Sequence, residues 1–329
     1  GFYPQIDSVY AGGGFTPGVG YRGRSGDQAQ WNVRGLYSIK NYKLVELTAK
    51  LADVDQNLAL DLRTGWRDAT QVGFYGLGMA TAQDDRADFR LQMSYAGGSI
   101  TWHPSRWSVL VGDAQYEGYR TLSPTGSERP VEEAYTPLTA PGLGADPNYL
   151  HGSGVAAIDW RSSPGYTRSG GYYGVAFHEY VGTDQTFSFN RLDLNLVQHL
   201  PIYRETWVVS LRGRVQTTLD GDDLIPYFMM PSLGSGSTLR AYSSWRFRDR
   251  HSVLTSVEWR WIPDRPFDIA VFADAGKVVP RTQDLNLKDL RGDVGIGIRF
   301  HGLKTTPLRI EVANGTDGWQ LVFAGTPAF

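Results

Sequence analysis

Apolar and polar side chains alternate with a period of two through most of this 329-residue chain. That period belongs to a β-strand, whose successive side chains point to opposite faces. Between Asp293 and Phe300, the residues Val294, Ile296, Ile298 and Phe300 share one face, and Gly295, Gly297 and Arg299 share the other. Within 207–216, Trp207, Val209, Leu211 and Val215 oppose Ser210, Arg212, Arg214 and Gln216. Within 251–261, Val253, Val257, Trp259 and Trp261 oppose Ser256, Glu258 and Arg260. At 308–313, Leu308, Ile310 and Val312 oppose Arg309 and Glu311, and residues 58–63, 89–94 and 192–195 repeat the pattern. Helical periodicity is almost absent, so the predicted fold class is all-β.

Alternation suits two architectures. A soluble sandwich turns its apolar face inward, whereas a transmembrane β-barrel turns it to lipid and lines a lumen with the polar face. Three features favour the barrel. Strand-like segments run from residue 15 to the end. Half of the connections are very short, as at Asn41–Tyr42 and 162–166. The alternate ones are long and polar, as at 82–87, 122–149, 220–250 and 279–291. Short turns at one end and long loops at the other characterise outer-membrane barrels.

Segments at 15–23, 29–40, 43–53, 57–67, 71–81, 88–103, 106–120, 150–162, 170–182, 190–201, 206–218, 251–262, 267–278, 292–302, 307–314 and 318–326 give about sixteen antiparallel strands, an even number that returns both ends to the periplasmic side. Side chains alone do not fill so wide a barrel, so the long 220–250 loop is expected inside the lumen. Residues 1–329 are read as a single barrel domain integral to a bacterial outer membrane. Its lipid face is expected to carry Trp207, Val209, Leu211, Trp259, Trp261, Ile296, Ile298, Leu321 and Phe323.

Composition narrows the function classes. Thirty-two basic residues against 34 acidic ones give no basic surface for a nucleic-acid partner. Eighteen Tyr and ten Trp suit a boundary between lipid and water. Zero Cys excludes disulfides and thiolate metal sites. His103, His151, His178, His199, His251 and His301 show no metalloprotease spacing, and no Gly-x-Ser-x-Gly elbow occurs. No catalytic residue, metal or cofactor is expected. Asp84–Asp85 and Asp222–Asp223 fall in expected external loops and are read as solvated pairs rather than cation sites. No run of eighteen apolar residues occurs, and the chain opens Gly1-Phe2-Tyr3-Pro4 without a secretory leader.

Residues 226–329 resemble the BamA-type superfamily of outer-membrane assembly and translocation barrels, also called the bacterial surface antigen family. Four features carry the resemblance. The loop 231–242 contains Leu239-Arg240-Ala241-Tyr242, similar to the family's Val/Leu-Arg-Gly-Phe/Tyr. Ala241 stands where the family has Gly, and Ala disfavours positive φ. Glu258-Trp259-Arg260 lies on the following strand, and Phe272-Ala273-Asp274-Ala275-Gly276 on the next. The chain ends with Trp319, Leu321 and Phe323 alternating outward and then Phe329, similar to the family's terminal strand and the outer-membrane targeting signal. Family members commonly carry periplasmic POTRA modules or an enzyme domain ahead of the barrel. This sequence shows neither, so the resemblance is to a barrel-only member or to one whose upstream region was removed.

The resemblance implies a lumen-loop lock in which Arg240 pairs with Asp274 and Glu258. Physics supports the pairing independently, because a guanidinium carried into a lumen cannot discharge and needs acceptors. Arg246, Arg248 and Arg250 are expected at the water-screened rim. The expected first strand, 15–23, carries Pro17, Gly18 and Gly20, and the last carries Gly325 and Pro327. These are poor ladder partners, and in the family this seam is the proposed lateral gate. The partners implied are outer-membrane lipids and lipopolysaccharide, with unfolded outer-membrane or secreted polypeptides as substrates. A plugged porin-like channel and a membrane anchor for an upstream domain are the alternatives.

Overall fold

Sixteen antiparallel strands form one sheet in the computed structural model, each paired with its neighbour in chain order. The structure describes residues 1–26, 29–52, 57–183, 186–219, 225–263, 266–325 and 327–329. The strands are β1 (Phe2–Ile6), β2 (Pro17–Ser25), β3 (Ala29–Tyr37), β4 (Lys43–Ala52), β5 (Leu58–Phe74), β6 (Ala87–Trp102), β7 (Ser108–Leu122) and β8 (Asn148–Asp159). They continue as β9 (Gly170–Gly182), β10 (Phe189–Tyr203), β11 (Trp207–Thr218), β12 (His251–Trp261), β13 (Phe267–Val279), β14 (Arg291–Phe300), β15 (Leu308–Gly315) and β16 (Gly318–Ala324).

The count matches the expectation, but two boundaries do not. Phe2–Ile6 is a strand that the sequence reading missed, and it pairs Ile6 with Pro17 and Tyr3 with Gly20. Its five residues include Pro4, which has no N–H to donate and so suits a sheet edge. The segments read as 57–67 and 71–81 are one strand, β5. Its register shifts between Ala69 and Val72, and such a bulge breaks the alternation on which the reading relied. The Asn41–Tyr42 turn lies at the same end as the long loops, because it follows β3. Ser38 closes it by accepting from the Tyr42 N–H through Oγ at 2.9 Å. Asp222 and Asp223 lie outside the described residues.

Burial decides between the two readings of the alternation. Large apolar side chains are exposed along the strands, among them Trp207, Leu211, Trp259, Trp261, Ile296, Ile298, Leu321 and Phe323, and Val209 is half-buried. The buried set includes Asp68, Glu117, Glu258, Arg260, Asp274, Arg299, Arg309 and Glu311. A soluble sandwich would invert this distribution. Charges inside and apolar side chains outside are the pattern of a transmembrane barrel. No helix among the described residues is long and apolar enough to cross a membrane.

The long-loop end is capped. Val131 and Ala140 of the 123–147 loop pack with Phe74, Phe89, Tyr227 and Phe228 into a buried apolar cluster. Burial at this end overturns one expectation about the rim. Arg246 and Arg248 are buried, with Arg246 donating to Asp317 at 2.6 Å and Arg248 to the Tyr227 carbonyl at 3.0 Å.

The facing assignment has a direct test. Arg at outward Ile296 should cost about 2–4 kcal/mol of stability at mid-membrane depth. Arg at inward Ser153, which lies across the ladder from Asp113, should cost far less. Refolding titrations in lipid vesicles measure both, and equal costs would contradict the assignment.

Candidate functional site

The loop between β11 and β12 enters the lumen because its sequence builds a narrow stalk and a folded tip. Ser232 pairs with Arg248 and Leu233 with Phe247 in a two-residue ladder. Gly234 then turns at φ +102°, a left-handed backbone that glycine adopts without strain. The tip closes on itself through Gly234 N–H to Thr238 Oγ1 at 3.0 Å and Tyr242 N–H to the Leu239 carbonyl at 3.2 Å. Leu239 and Tyr242 are buried with Leu233, Leu254 and Phe272. Gly276 on β13 is part of this fit, since a Cβ there would lie 2.9 Å from Leu233. Ala241 does not have a positive φ; the left-handed positions fall on Gly234 and Trp245. The Ala241 N–H instead donates to Asp293 at 3.1 Å.

Arg240 projects from this tip into a set of acids. Nε and Nη2 donate to the two oxygens of Asp274 at 2.7 and 3.1 Å. Nη1 donates to Glu258 at 3.2 Å and to Glu311 at 3.3 Å. The guanidinium carbon stands 3.4 Å over the Phe272 ring. Burial opposes the charge, but the surrounding carboxylates outweigh it and hold the Arg240 pKa above its ordinary value. The network extends further. Arg299 donates to both oxygens of Glu258 and to Glu311 at 3.0 Å, and Arg309 to Glu311 at 2.5 Å. Arg240, Arg299 and Arg309 thus face Glu258, Asp274 and Glu311, and Arg260 also lies 3.8 Å from Glu258.

Glu311, Arg299, Arg309 and Asp293 were not singled out from the sequence as lock residues. The alternation did place Arg299, Arg309 and Glu311 on the inner face. Which inner faces meet the loop depends on the curvature of the sheet, which no local pattern encodes.

The loop also touches both edges of the sheet. Among the described residues no ladder joins β1 to β16. Phe2 and Ile6 on β1 are 80 and 69% exposed, and Trp319 and Phe323 on β16 are 76 and 64% exposed. Leu211 at 43% and Trp259 at 36%, with neighbours on both sides, are more covered, whereas Val294 at 61% and Leu150 at 59% are as open as the edges. On the β16 side, Arg309 donates to the Gly236 carbonyl at 3.0 Å and Tyr242 bonds Thr316 at 3.1 Å. On the β1 side, Trp245 stacks on Tyr10 at 4.8 Å and donates to the Ala11 carbonyl at 3.1 Å.

The expected seam residues are not at this seam. Pro17, Gly18 and Gly20 lie on β2, paired with β1, and Gly18 and Gly20 pair on the other side with Leu36 and Arg34 of β3. Gly20 is needed there for close approach, because a Cβ would fall 2.4 Å from the Tyr3 ring. Gly325 and Pro327 follow the last strand. Phe329 does not continue the outward face of Trp319, Leu321 and Phe323. It turns inward, 6.3 Å from the His199 ring and 5.9 Å from the Arg212 guanidinium.

A family model described as the Omp85 superfamily domain matches residues 144–321, more than half of the chain. The protein belongs to the Omp85 superfamily. Its fold is similar to BamA from Haemophilus ducreyi lacking POTRA domains 1–3, with a TM-score of 0.72 and 13% identity over 99% of this chain and 69% of that one. It is also similar to CdiB from Acinetobacter baumannii, with a TM-score of 0.60 and 10% identity over 94% of this chain and 56% of that one. At such identities the likeness shows the fold. No curated protein matches by sequence. As an Omp85 barrel, the protein is integral to the outer membrane.

The Omp85 barrel's lock makes a quantitative prediction. Removing one partner of a buried ion pair costs about 3–5 kcal/mol, so Arg240→Ala should lower the temperature of heat-induced unfolding and expose the loop to protease. Asp274→Asn should act similarly, and the double variant should lose little more than either single one. Fully additive losses would mean that the two residues are not coupled.

Proposed function

We propose that this Omp85 barrel assists the insertion or translocation of other polypeptides at the outer membrane, using the seam between β1 and β16 as a lateral exit. The observation that carries this reading is the pair of edges that, among the described residues, share no ladder and are each tied to the lumen loop by a few contacts. An unpaired edge presents N–H and C=O groups that an extended chain satisfies by adding a strand. In lipid such groups have no water to bond, so an incoming strand is stabilised there more than in solution. The apolar side chains flanking the edges, Phe2, Ile6, Trp319 and Phe323, keep the exit in contact with lipid.

The loop supplies control in this reading. Releasing Trp245 from Tyr10 and Ala11, or Gly236 from Arg309, frees one edge without unfolding the wall. Lipids and lipopolysaccharide surround the barrel, and an unfolded polypeptide is the substrate. No catalytic chemistry of its own is assigned to the chain.

A second reading, a channel plugged by the loop, rests on the buried contacts that fill the lumen around Arg240. The two readings separate experimentally. The chain has no Cys, so cysteine pairs placed between Phe2–Ile6 and Gly318–Ala324 form clean disulfides. Locking the seam should abolish insertion of a substrate barrel into proteoliposomes, and reduction should restore it. Full activity of the locked barrel would contradict the seam reading, and conductance on loop release would favour the channel.

A further inference from the structure

A cavity of about 310 Å³ lies between the loop and the inner wall, and Arg67 of β5, Arg191 of β10 and Arg214 of β11 line it. Among the described residues no Asp or Glu lines it. Two of these arginines, Arg67 and Arg214, differ from five other inward cations. Arg34, Arg90, Arg240, Arg246 and Arg299 each reach a carboxylate at 3.1 Å or less. Arg67 instead donates to the Met93 sulfur at 2.7 and 3.2 Å, a weak acceptor. The Arg214 side chain makes no hydrogen bond or ion pair among the described residues. Arg191 lies 3.1 Å from Asp193, which also accepts from Gln216 at 2.9 Å. Behind the cavity's Trp245 wall, the buried Arg248 has two guanidinium nitrogens, Nε and Nη2, without hydrogen-bond partners among the described residues.

We propose that this cavity binds a small oxyanion of the phosphate class. Arg67, Arg191 and Arg214 against Asp193 leave two positive charges, which match a dianionic phosphate better than a single carboxylate. The planar guanidinium fork fits phosphate oxygens bidentately. Hydroxyls of Ser235, Ser237 and Thr238 line the same space, and aromatic rings of Tyr10 and Trp245 leave room for an organic substituent. The proposal does not depend on polypeptide handling. Such a ligand touches both the wall and the loop, so its binding would tie the loop to the barrel opposite the Arg240 cluster.

Isothermal titration of the folded barrel in detergent tests this with two probes: inorganic phosphate, and glycerol 3-phosphate as a fragment of a lipid headgroup. At least one should bind, and Arg214→Gln should weaken it about tenfold or more, the loss of one charge-assisted hydrogen bond. Arg67→Gln should act likewise, so the test survives if one variant fails to fold. Neither substitution orphans a carboxylate. Arg281→Gln, at an exposed pair with Asp284, should change nothing. Tighter glycerol 3-phosphate identifies a headgroup ligand, and tighter phosphate a free solute. Absence of binding by both probes, or equal affinity in Arg67→Gln and Arg214→Gln, overturns the proposal.

Discussion

A guanidinium that cannot discharge, placed out of water, is the constraint on which this barrel's interior depends. Arg240 stays charged at any physiological pH, and burial without acceptors would be prohibitive. The structure answers with Asp274, Glu258 and Glu311 from three different strands. Those acids in turn hold Arg299 and Arg309. The loop therefore cannot leave the lumen without leaving Asp274, Glu258 and Glu311 short of a cation. Its position becomes nearly all-or-none, because a partly withdrawn tip leaves acids and cations unpaired at low dielectric.

That fixed loop sets the mechanics of the sheet. The wall from β2 to β15 is held by continuous ladders. The two edges are held differently, by side chains of residues 236–246 that reach the β15–β16 hairpin on one side and the 10–12 segment on the other. Trp245 and Arg246 are adjacent in sequence yet serve opposite edges. A strap of few contacts opens at lower free energy than a ladder does, as local opening generally follows local contact density. Stability of the wall and mobility of the seam are thus assigned to different interactions, and one can change without the other.

Much of this was legible in the sequence, for a physical reason. Period two is a property of the strand backbone, so the strands and their lumen faces appeared without tertiary information. Arg240, Asp274 and Glu258 stood out through a family resemblance in short motifs. The failures share a cause as well. Phe2–Ile6 is short and contains Pro4, so its pattern carries little weight until its pairing with β2 is known. The bulge between Ala69 and Val72 interrupts the alternation and divided one strand into two. Glu311, Arg299 and Asp293 join the cluster only because β12 to β15 curve around one loop tip, and that convergence arises from long-range strand pairing. Arg246 and Arg248 seemed to belong at a wet rim because the groups that meet them, Tyr75 and Thr81 for Arg246 and Phe74 for Arg248, are far away in sequence.

The central claim is that the Arg240 cluster, acting through the loop, holds together two edges that no ladder joins. Amide hydrogen exchange of the folded barrel in lipid nanodiscs tests it most directly, comparing β1 and β16 with β11 and β12 in the wild type and in Glu311→Gln. The account predicts fast exchange at both edges in the wild type. In the variant it predicts a further rise confined to β1, β16 and the loop, with β11 and β12 unchanged. Edges as protected as β11 and β12, or a variant that loosens the whole wall evenly, would contradict it.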